Sequence, residues 1–314
     1  MRGILDPMPD FILCTRSISK NQFTDKPGPS KYLSVPDGAS PQPDHAVNQA
    51  SWAKAVIAAA APNGKAGNLL IFIHGYNNTQ ENVVTRHRQL KADLAAMGFV
   101  GTVASYDWPS DDTPLAYLAD RERAKTTALQ LVSDGIALLS KSQTPDCPVT
   151  VHLLAHSTGA FLVREAFDEA DDRALDNNAW VVSQLAFISG DISSSSMSES
   201  ASGSESLYRH CFRMTNYFNR HDEVLAISNV KRIGAAPRVG RVGLPNDAPS
   251  KAINVDCSDY FHSIHPDGGL TISHSWQFGD LVFTRDLLLT MQGVDRNEVT
   301  TRKLVNGTLV LSKP

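Results

Sequence analysis

The chain has 314 residues, 42% of them apolar and 20% charged, with a formal charge of −4 at pH 7. That length fits one large α/β domain or about two of average size, with a core big enough to need no disulfide or metal staple. The acidic balance excludes a general nucleic-acid binder, which carries a basic surplus or stripe, and no apolar run approaches the roughly 20 residues of a membrane span.

Four scattered cysteines, Cys14, Cys147, Cys211 and Cys257, form no C-x-x-C pair, so free thiols in a reducing cytoplasm are expected. Asp6, Pro7, Pro9 and Asp10 stand where the apolar stretch of a secretory signal would begin. The sequons Asn77-Asn78-Thr79 and Asn306-Gly307-Thr308 are accordingly read as chance matches.

In chain order, the first 50 residues are rich in Pro, Ser and Asp. Phe11-Ile12-Leu13-Cys14 and Tyr32-Leu33-Ser34-Val35 read as short strands, with a loop signal at Lys26-Pro27-Gly28-Pro29. Residues 46–61 read as a helix ended by Pro62 and Gly64. The continuous run Leu69-Leu70-Ile71-Phe72-Ile73 is the mark of a strand buried on both faces. A loop follows, then a helix over 79–97 with Asn78 as N-cap and Glu81 three residues on. Strands are predicted at 100–106, 149–154, 180–188, 211–218 and 252–255, and helices at 117–141, 160–170, 222–230 and 276–292. This alternation predicts an α/β fold, with a mostly parallel central sheet and helices on both faces. A single domain is expected: an N-terminal extension over 1–66 adding strands to the sheet, a core over 67–292, and a C-terminal hairpin over 300–313 turning on Asn306-Gly307. That hairpin can pair within the domain or across the edge of a homodimer. The Ser-rich run at 193–206 reads as too polar to pack, hence a mobile loop or a flap over the site.

The sharpest chemical signal is Ala155-His156-Ser157-Thr158-Gly159, which follows an apolar strand and opens a helix. A tight strand–turn–helix lifts a serine hydroxyl into the open, and small residues two before and two after it relieve the crowding. The free N–H groups of the helix start favour an oxyanion there. The alternative is an ordinary helix start. His74-Gly75-Tyr76 follows another strand, and its glycine allows the backbone to approach a bound carbonyl. The N–H groups of Tyr76 and Thr158 are then the two oxyanion donors, with His74 in a structural hydrogen-bonding role. The general base should follow in the order Ser, acid, His. His274, just ahead of the last long helix, is favoured, with His262 and His265 as alternatives. His262-x-x-His265 lacks a convincing third ligand, so no metal or other cofactor is called for. Asp222 is the favoured acid and Asp191 its rival, the latter with an alternative role as a loop or capping residue. Trp108 and His156 are candidate walls of a substrate pocket; Trp108 reads equally well as a packing residue.

The elbow, the His-Gly loop and the Ser…Asp…His order resemble the α/β-hydrolase fold. More narrowly the chain is similar to a bacterial, esterase-like branch catalogued as a domain of unknown function, the nine-hundredth of its kind. The resemblance rests on Ile71-Phe72-Ile73-His74-Gly75-Tyr76-Asn77, Tyr106-Asp107-Trp108-Pro109-Ser110, Leu153 through Gly159, Asn219-Arg220-His221-Asp222 and His274-Ser275. The early run through Cys14-Thr15-Arg16 and Tyr32-Leu33-Ser34-Val35-Pro36 matches too, so that most of residues 11–292 is covered. It implies Ser157 as nucleophile, Asp222 as acid and His274 as base. The chain departs from the pattern at Thr158, where Met is usual; a backbone donor tolerates that change. The expected activity is hydrolysis of a small-molecule carboxylic ester through an acyl-enzyme on Ser157. Acyl transfer or amide cleavage by the same triad is the second reading, and a non-catalytic binding module that kept the fold is the third.

Overall fold

Apolar runs that are continuous rather than alternating need cover on both faces, and the fold supplies it. The computed structural model describes residues 8–76, 78–110, 117–141, 149–230 and 237–314. Asn77 of the first sequon and Cys147 lie outside the described residues.

The chain opens with a long hairpin of β1 (Asp10–Ser19) and β2 (Gln22–Val35), onto which the two-residue β3 (Ala46–Val47) adds. The Lys26–Pro29 stretch expected as a loop is part of β2. It is tolerated there because β3 pairs only with Tyr32 and Leu33, leaving the prolines on an open edge, and because the β1 register shifts between Cys14 and Ile18. Helix α1 (Gln49–Ala60) starts where the Asn48 side chain accepts from the Ser51 N–H. Next come β4 (Gly67–Ile73), α2 (Gln80–Ala96) and β5 (Gly101–Asp107). Thr79, not Asn78, caps α2 by accepting from the Asn82 N–H; Asn78 is committed elsewhere. Helix α3 (Tyr117–Gln130) passes through a π-helical turn into α4 (Ala137–Lys141). Then β6 (Val149–His156), α5 (Thr158–Asp172), β7 (Val182–Ile188), α6 (Glu205–Arg209) and β8 (Cys211–Phe218) complete the centre. Helices α7 (Glu223–Val230) and α8 (Val239–Val242), strand β9 (Ala252–Asp256), and helices α9 (Ser258–Ile264), α10 (Leu270–Ser275) and α11 (Leu281–Met291) follow. The hairpin of β10 (Arg302–Val305) and β11 (Thr308–Leu311) ends the chain. Residues 276–280, expected as helix, stay outside α11, because Asp280 caps that helix by accepting from the Phe283 N–H.

Among the described residues one sheet carries all eleven strands, in the order β10-β11-β9-β8-β7-β6-β4-β5-β1-β2-β3. It is parallel from β1 through β11, and only β2, β3 and β10 run antiparallel to their neighbours. The terminal hairpin therefore pairs inside the domain, through β11 on β9. Its turn residues Asn306 and Gly307 both have positive φ, as the tightest hairpin turn requires. One face of the sheet packs on Trp52, Phe161 and Phe167 from α1 and α5; the other packs on Leu90 and Leu94 of α2 and Phe283 and Leu287 of α11.

The Ser-rich stretch, expected to be too polar to pack, is packed. Met197 is fully buried in the core and anchors it. The serines close turns on nearby carbonyls: Ser204 Oγ donates to Ser196 O at 2.5 Å, and Ser194 Oγ to Gly243 O at 2.8 Å. Tyr208 Oη donates to Met197 O at 2.6 Å. Short hydroxyl side chains satisfy a bent backbone locally, so low apolar content here produces turns.

Candidate active site

Strand β6 ends at His156 and α5 begins at Thr158, so Ser157 makes the turn alone, at φ 56° and ψ −124°. That conformation costs a non-glycine residue about 1–3 kcal/mol and persists only where its surroundings enforce it. The enforcement is visible. The Ser157 N–H donates to Ile188 O, and its carbonyl accepts from the N–H groups of Ala160 and Asp191. A Cβ on Gly159 would lie 2.5 Å from His74 O, and one on Gly75 would lie 2.6 Å from Ser157 Cβ. The two glycines are thus where the 74–76 loop and the elbow touch. Thr158, as first residue of α5, has an N–H with no intrahelical carbonyl to reach.

Residues 74–76 and Asn78 are held from inside. Asn78 Nδ2 donates to Gly75 O at 2.9 Å and to Tyr76 O at 2.8 Å, and Ser110 Oγ donates to Asn78 O at 3.0 Å. His74 bonds Gly75 O through Nδ1 at 2.8 Å, while its Nε2 accepts from the Trp108 N–H. A neutral ring protonated on Nδ1 satisfies both contacts, and burial lowers the His74 pKa in agreement. Because a trans peptide directs its C=O and N–H oppositely, an inward Gly75 carbonyl sends the Tyr76 N–H the other way. From further out, Arg16 on β1 donates to Asn78 O at 3.1 Å and to Asp107 Oδ1 at 2.9 Å. Burial opposes the charge on Asp107, but the Arg16 guanidinium beside it outweighs that and holds the carboxyl well below the usual range.

His274 lies in α10, a short helix of its own, and its Nδ1 is 2.8 Å from Asp222 Oδ2. Asp222 is fully buried, and its other oxygen accepts from the Leu225 N–H at the start of α7. His274 meets the elbow through His156: His156 Nε2 bonds His274 O at 2.9 Å, and the ring centroids are 4.8 Å apart. Burial, with His274 and Arg86 nearby, pushes the His156 pKa well below its ordinary value. The neutral ring therefore carries its proton on Nε2, where the carbonyl needs it.

The expected site residues thus fall into two groups. Ser157 meets the 74–76 loop at Gly75, and His274, in contact with Asp222, is tied to the elbow through His156; Tyr76 and Thr158 adjoin these contacts in the chain. Asp191 is turned to Arg238, 3.0 Å away. His262 and His265 belong to α9 and its end, and line a cavity of about 300 Å³ with His221, Asp222 and Glu223. Two pocket-wall expectations are corrected. Trp108 is completely buried, stacks on His74 and donates to His74 O at 2.8 Å, so it braces the loop. His156 is buried beneath His274 rather than facing a ligand. Sequence reading missed Asn78, Arg16 and Arg86. Arg86 Nη1 donates to Asn78 Oδ1 at 2.9 Å and its Nη2 to Ser275 Oγ at 3.3 Å, with the guanidinium 4.9 Å over the Phe278 ring. Arg16 acts across 62 residues of sequence, Arg86 sits in no motif, and Asn78 was read as a helix cap, a role that Thr79 fills.

A family model described as an alpha/beta hydrolase of unknown function (DUF900) matches residues 49–255. No curated protein matches the chain. Among solved structures, lipase B of Aspergillus fumigatus is similar at 13% identity and a TM-score of 0.43, over 88% of this chain and 63% of that one; the chain thus spans less than two thirds of that lipase. A cutinase-like protein from Cryptococcus sp. is similar at 14% identity and a TM-score of 0.34, over 72% of this chain and 95% of that one. Est1E from Butyrivibrio proteoclasticus is similar at 13% identity and a TM-score of 0.35, over 62% and 79%.

Proposed function

Since the chain belongs to the alpha/beta-hydrolase family of unknown function that its residues 49–255 match, we propose that it is a serine hydrolase of carboxylic esters. The observation that carries this reading is the 2.8 Å contact of His274 Nδ1 with the buried Asp222, in a chain whose Ser157, held at positive φ, follows the His156 that bonds His274 O.

In this reading Ser157 Oγ attacks the ester carbonyl carbon while His274 Nε2 takes its proton. Asp222 accepts from Nδ1–H, fixes the tautomer and stabilises the imidazolium. The N–H groups of Tyr76 and Thr158 receive the oxyanion. The carbonyl re-forms, the C–O bond to the alcohol breaks, and the alkoxide leaves with the proton from His274. Water then gives a proton to His274 and attacks the acyl-enzyme. Collapse releases the carboxylic acid and returns the proton to Ser157. Fully formed donors pointing at the oxyanion cost no reorganisation during reaction; each is worth about 3 kcal/mol.

The test is hydrolysis of p-nitrophenyl esters of increasing chain length by the wild type and by Ser157→Ala. Turnover should fall to background in the variant while its circular dichroism stays native. Turnover retained by Ser157→Ala refutes the reading, as does failure of a fluorophosphonate probe to label Ser157.

A further inference from the structure

Arg86 differs from the three buried arginines of the described residues, although half-buried Arg213, far from the proposed site, also bonds only an amide oxygen and two backbone carbonyls. The buried guanidiniums of Arg16, Arg238 and Arg302 each face a carboxylate, of Asp107, Asp191 and Asp286. Arg86 is half-buried and has no carboxylate partner among the described residues. Its contacts are the Asn78 amide oxygen, the Ser275 hydroxyl and the Phe278 ring. Burial alone acts on its charge, pulling its pKa down to about 10. A cation removed from water without a counter-charge is costly and is seldom kept without one.

The position of that cation is informative. Asn78 also holds the carbonyls of Gly75 and Tyr76. Ser275 follows His274 directly. Phe278 packs on His156, the residue before Ser157, at a centroid distance of 5.3 Å. Arg86 therefore stands between the loop proposed to bind the oxyanion and the helix that carries the proposed base. The other charges there are already committed: Asp222 to His274, Asp107 to Arg16. Two of the five N–H groups of Arg86 are used in the two hydrogen bonds, and a carboxylate can take two of those that remain.

We propose that Arg86 binds a carboxylate carried by the substrate, so that the preferred ester is an anionic one: a half-ester of a dicarboxylic acid, or an ester of a carboxylated alcohol. This rests on the ester-hydrolase reading and narrows it. The counter-ion that Arg86 lacks among the described residues arrives with the substrate, and the bond it makes also orients the scissile carbonyl toward Ser157.

Two matched substrate pairs test the assignment. One places the carboxylate on the acyl side, 4-nitrophenyl hydrogen adipate against 4-nitrophenyl hexanoate. The other places it on the leaving group, 4-acetoxybenzoate against 4-acetoxybenzamide. The quantity read is the ratio of kcat/KM for the anionic ester to that for its neutral partner, in which a general loss from disturbed packing cancels. Arg86→Gln should lower this ratio about 10- to 100-fold in one pair, as loss of a charge-assisted hydrogen bond predicts. Arg86→Lys should keep part of the preference. A ratio unchanged by Arg86→Gln in both pairs overturns the proposal; equal losses on both esters would mark Arg86 as a clamp alone. Should no ester be cleaved and no fluorophosphonate label Ser157, the ester-hydrolase reading fails first. Calorimetry with adipate and with 4-acetoxybenzoate then decides on Arg86. Binding of either by the wild type that is lost in Arg86→Gln sustains the carboxylate site, and binding absent or indifferent to the substitution removes it.

Discussion

His156 Nε2 bonds the backbone carbonyl of His274 at 2.9 Å. The residue before the proposed nucleophile thus holds the main chain of the proposed base, and the two ends of the reacting pair are fixed to each other by one ring. His156 is buried and neutral, and its Nδ1 has no hydrogen-bond partner among the described residues. Its contribution is therefore one directed N–H and the packing of an imidazole. His156→Ala removes both. A shift of His274 by about 1 Å is enough to cost roughly 100-fold in rate, so kcat should fall 10- to 100-fold with little change in KM. His156→Gln, whose amide can donate to the same carbonyl, should recover part of the loss. Steady-state kinetics on a p-nitrophenyl ester decide it. A variant that is only less stable, with native kcat, would reduce His156 to a packing residue.

Asn78 makes the second prediction. Its amide donates to two loop carbonyls and accepts from Arg86, while its own carbonyl receives Ser110 and Arg16. The side chain sets the direction of the Gly75–Tyr76 peptide. Asn78→Ala should release the Tyr76 N–H and cost about 100- to 1,000-fold in kcat, the usual loss for one oxyanion donor. Asn78→Asp has the same shape but cannot donate to the two carbonyls, so it should be nearly as damaging. A kcat within threefold of wild type for both variants would mean that the loop is held without Asn78.

Much of this was legible beforehand, and the limits have physical causes. Continuous apolar runs such as Leu69–Ile73 are local, and so is the strand–Ser–helix pattern around Ser157; both survive reading in one dimension. Asn306-Gly307 specifies its hairpin because few other residues accept two consecutive positive φ values. Asp222 could be picked out because it lies just past the end of β8, whereas His274 sits in α10, beyond α9 and away from any strand end. The bracing was not. Arg16 reaches Asn78 and Asp107 across sequence separations of 62 and 91 residues, and nothing near Arg16 announces either partner. Trp108 was ambiguous for the same reason: its mate, His74, lies 34 residues earlier on another strand. The Ser-rich segment misled in a different way. Its composition matches disorder, while the single Met197 buries itself and the hydroxyls close turns around it.

The glycines at the elbow give a sharp steric prediction. Gly159→Ala would place a methyl 2.5 Å from His74 O and 2.6 Å from Ile73 O, both backbone atoms that cannot swing away. Gly75→Ala would place one 2.6 Å from Ser157 Cβ. Either change must move the loop off the elbow, at a cost of about 1–3 kcal/mol and with loss of the oxyanion geometry. Gly98→Ala, where the space is open but φ is positive, should lower stability by strain alone and spare kcat. Urea denaturation beside kinetics separates the two classes. Native kcat in Gly159→Ala would show that the elbow and the 74–76 loop are not in register as described.

Acid should unfold this protein through its buried histidines. Burial lowers the pKa values of His74, His87 and His156, and that of His152 to about 4. In the unfolded chain each titrates near 6.5. As pH falls through that value the unfolded state takes up protons that the folded state refuses, so stability is full above about pH 7 and declines below it. Each refused proton costs about 1.4 kcal/mol per pH unit. Several acting together therefore draw down a stability that is only about 5–15 kcal/mol in a typical domain. The decline should set in as pH falls through about 6.5, and the His152 share of it ends at about pH 4, where that ring protonates in place. The carboxylates of Asp10 and Asp107, both held below the usual range, add a further loss only below about pH 4, when the unfolded state protonates its own. His152 touches Asn68 and no part of the proposed site. His152→Gln should therefore flatten the decline by about one proton while leaving turnover native. Urea midpoints at half-unit pH steps measure it; a midpoint constant from pH 7 to 5 would mean that these rings are charged inside the fold.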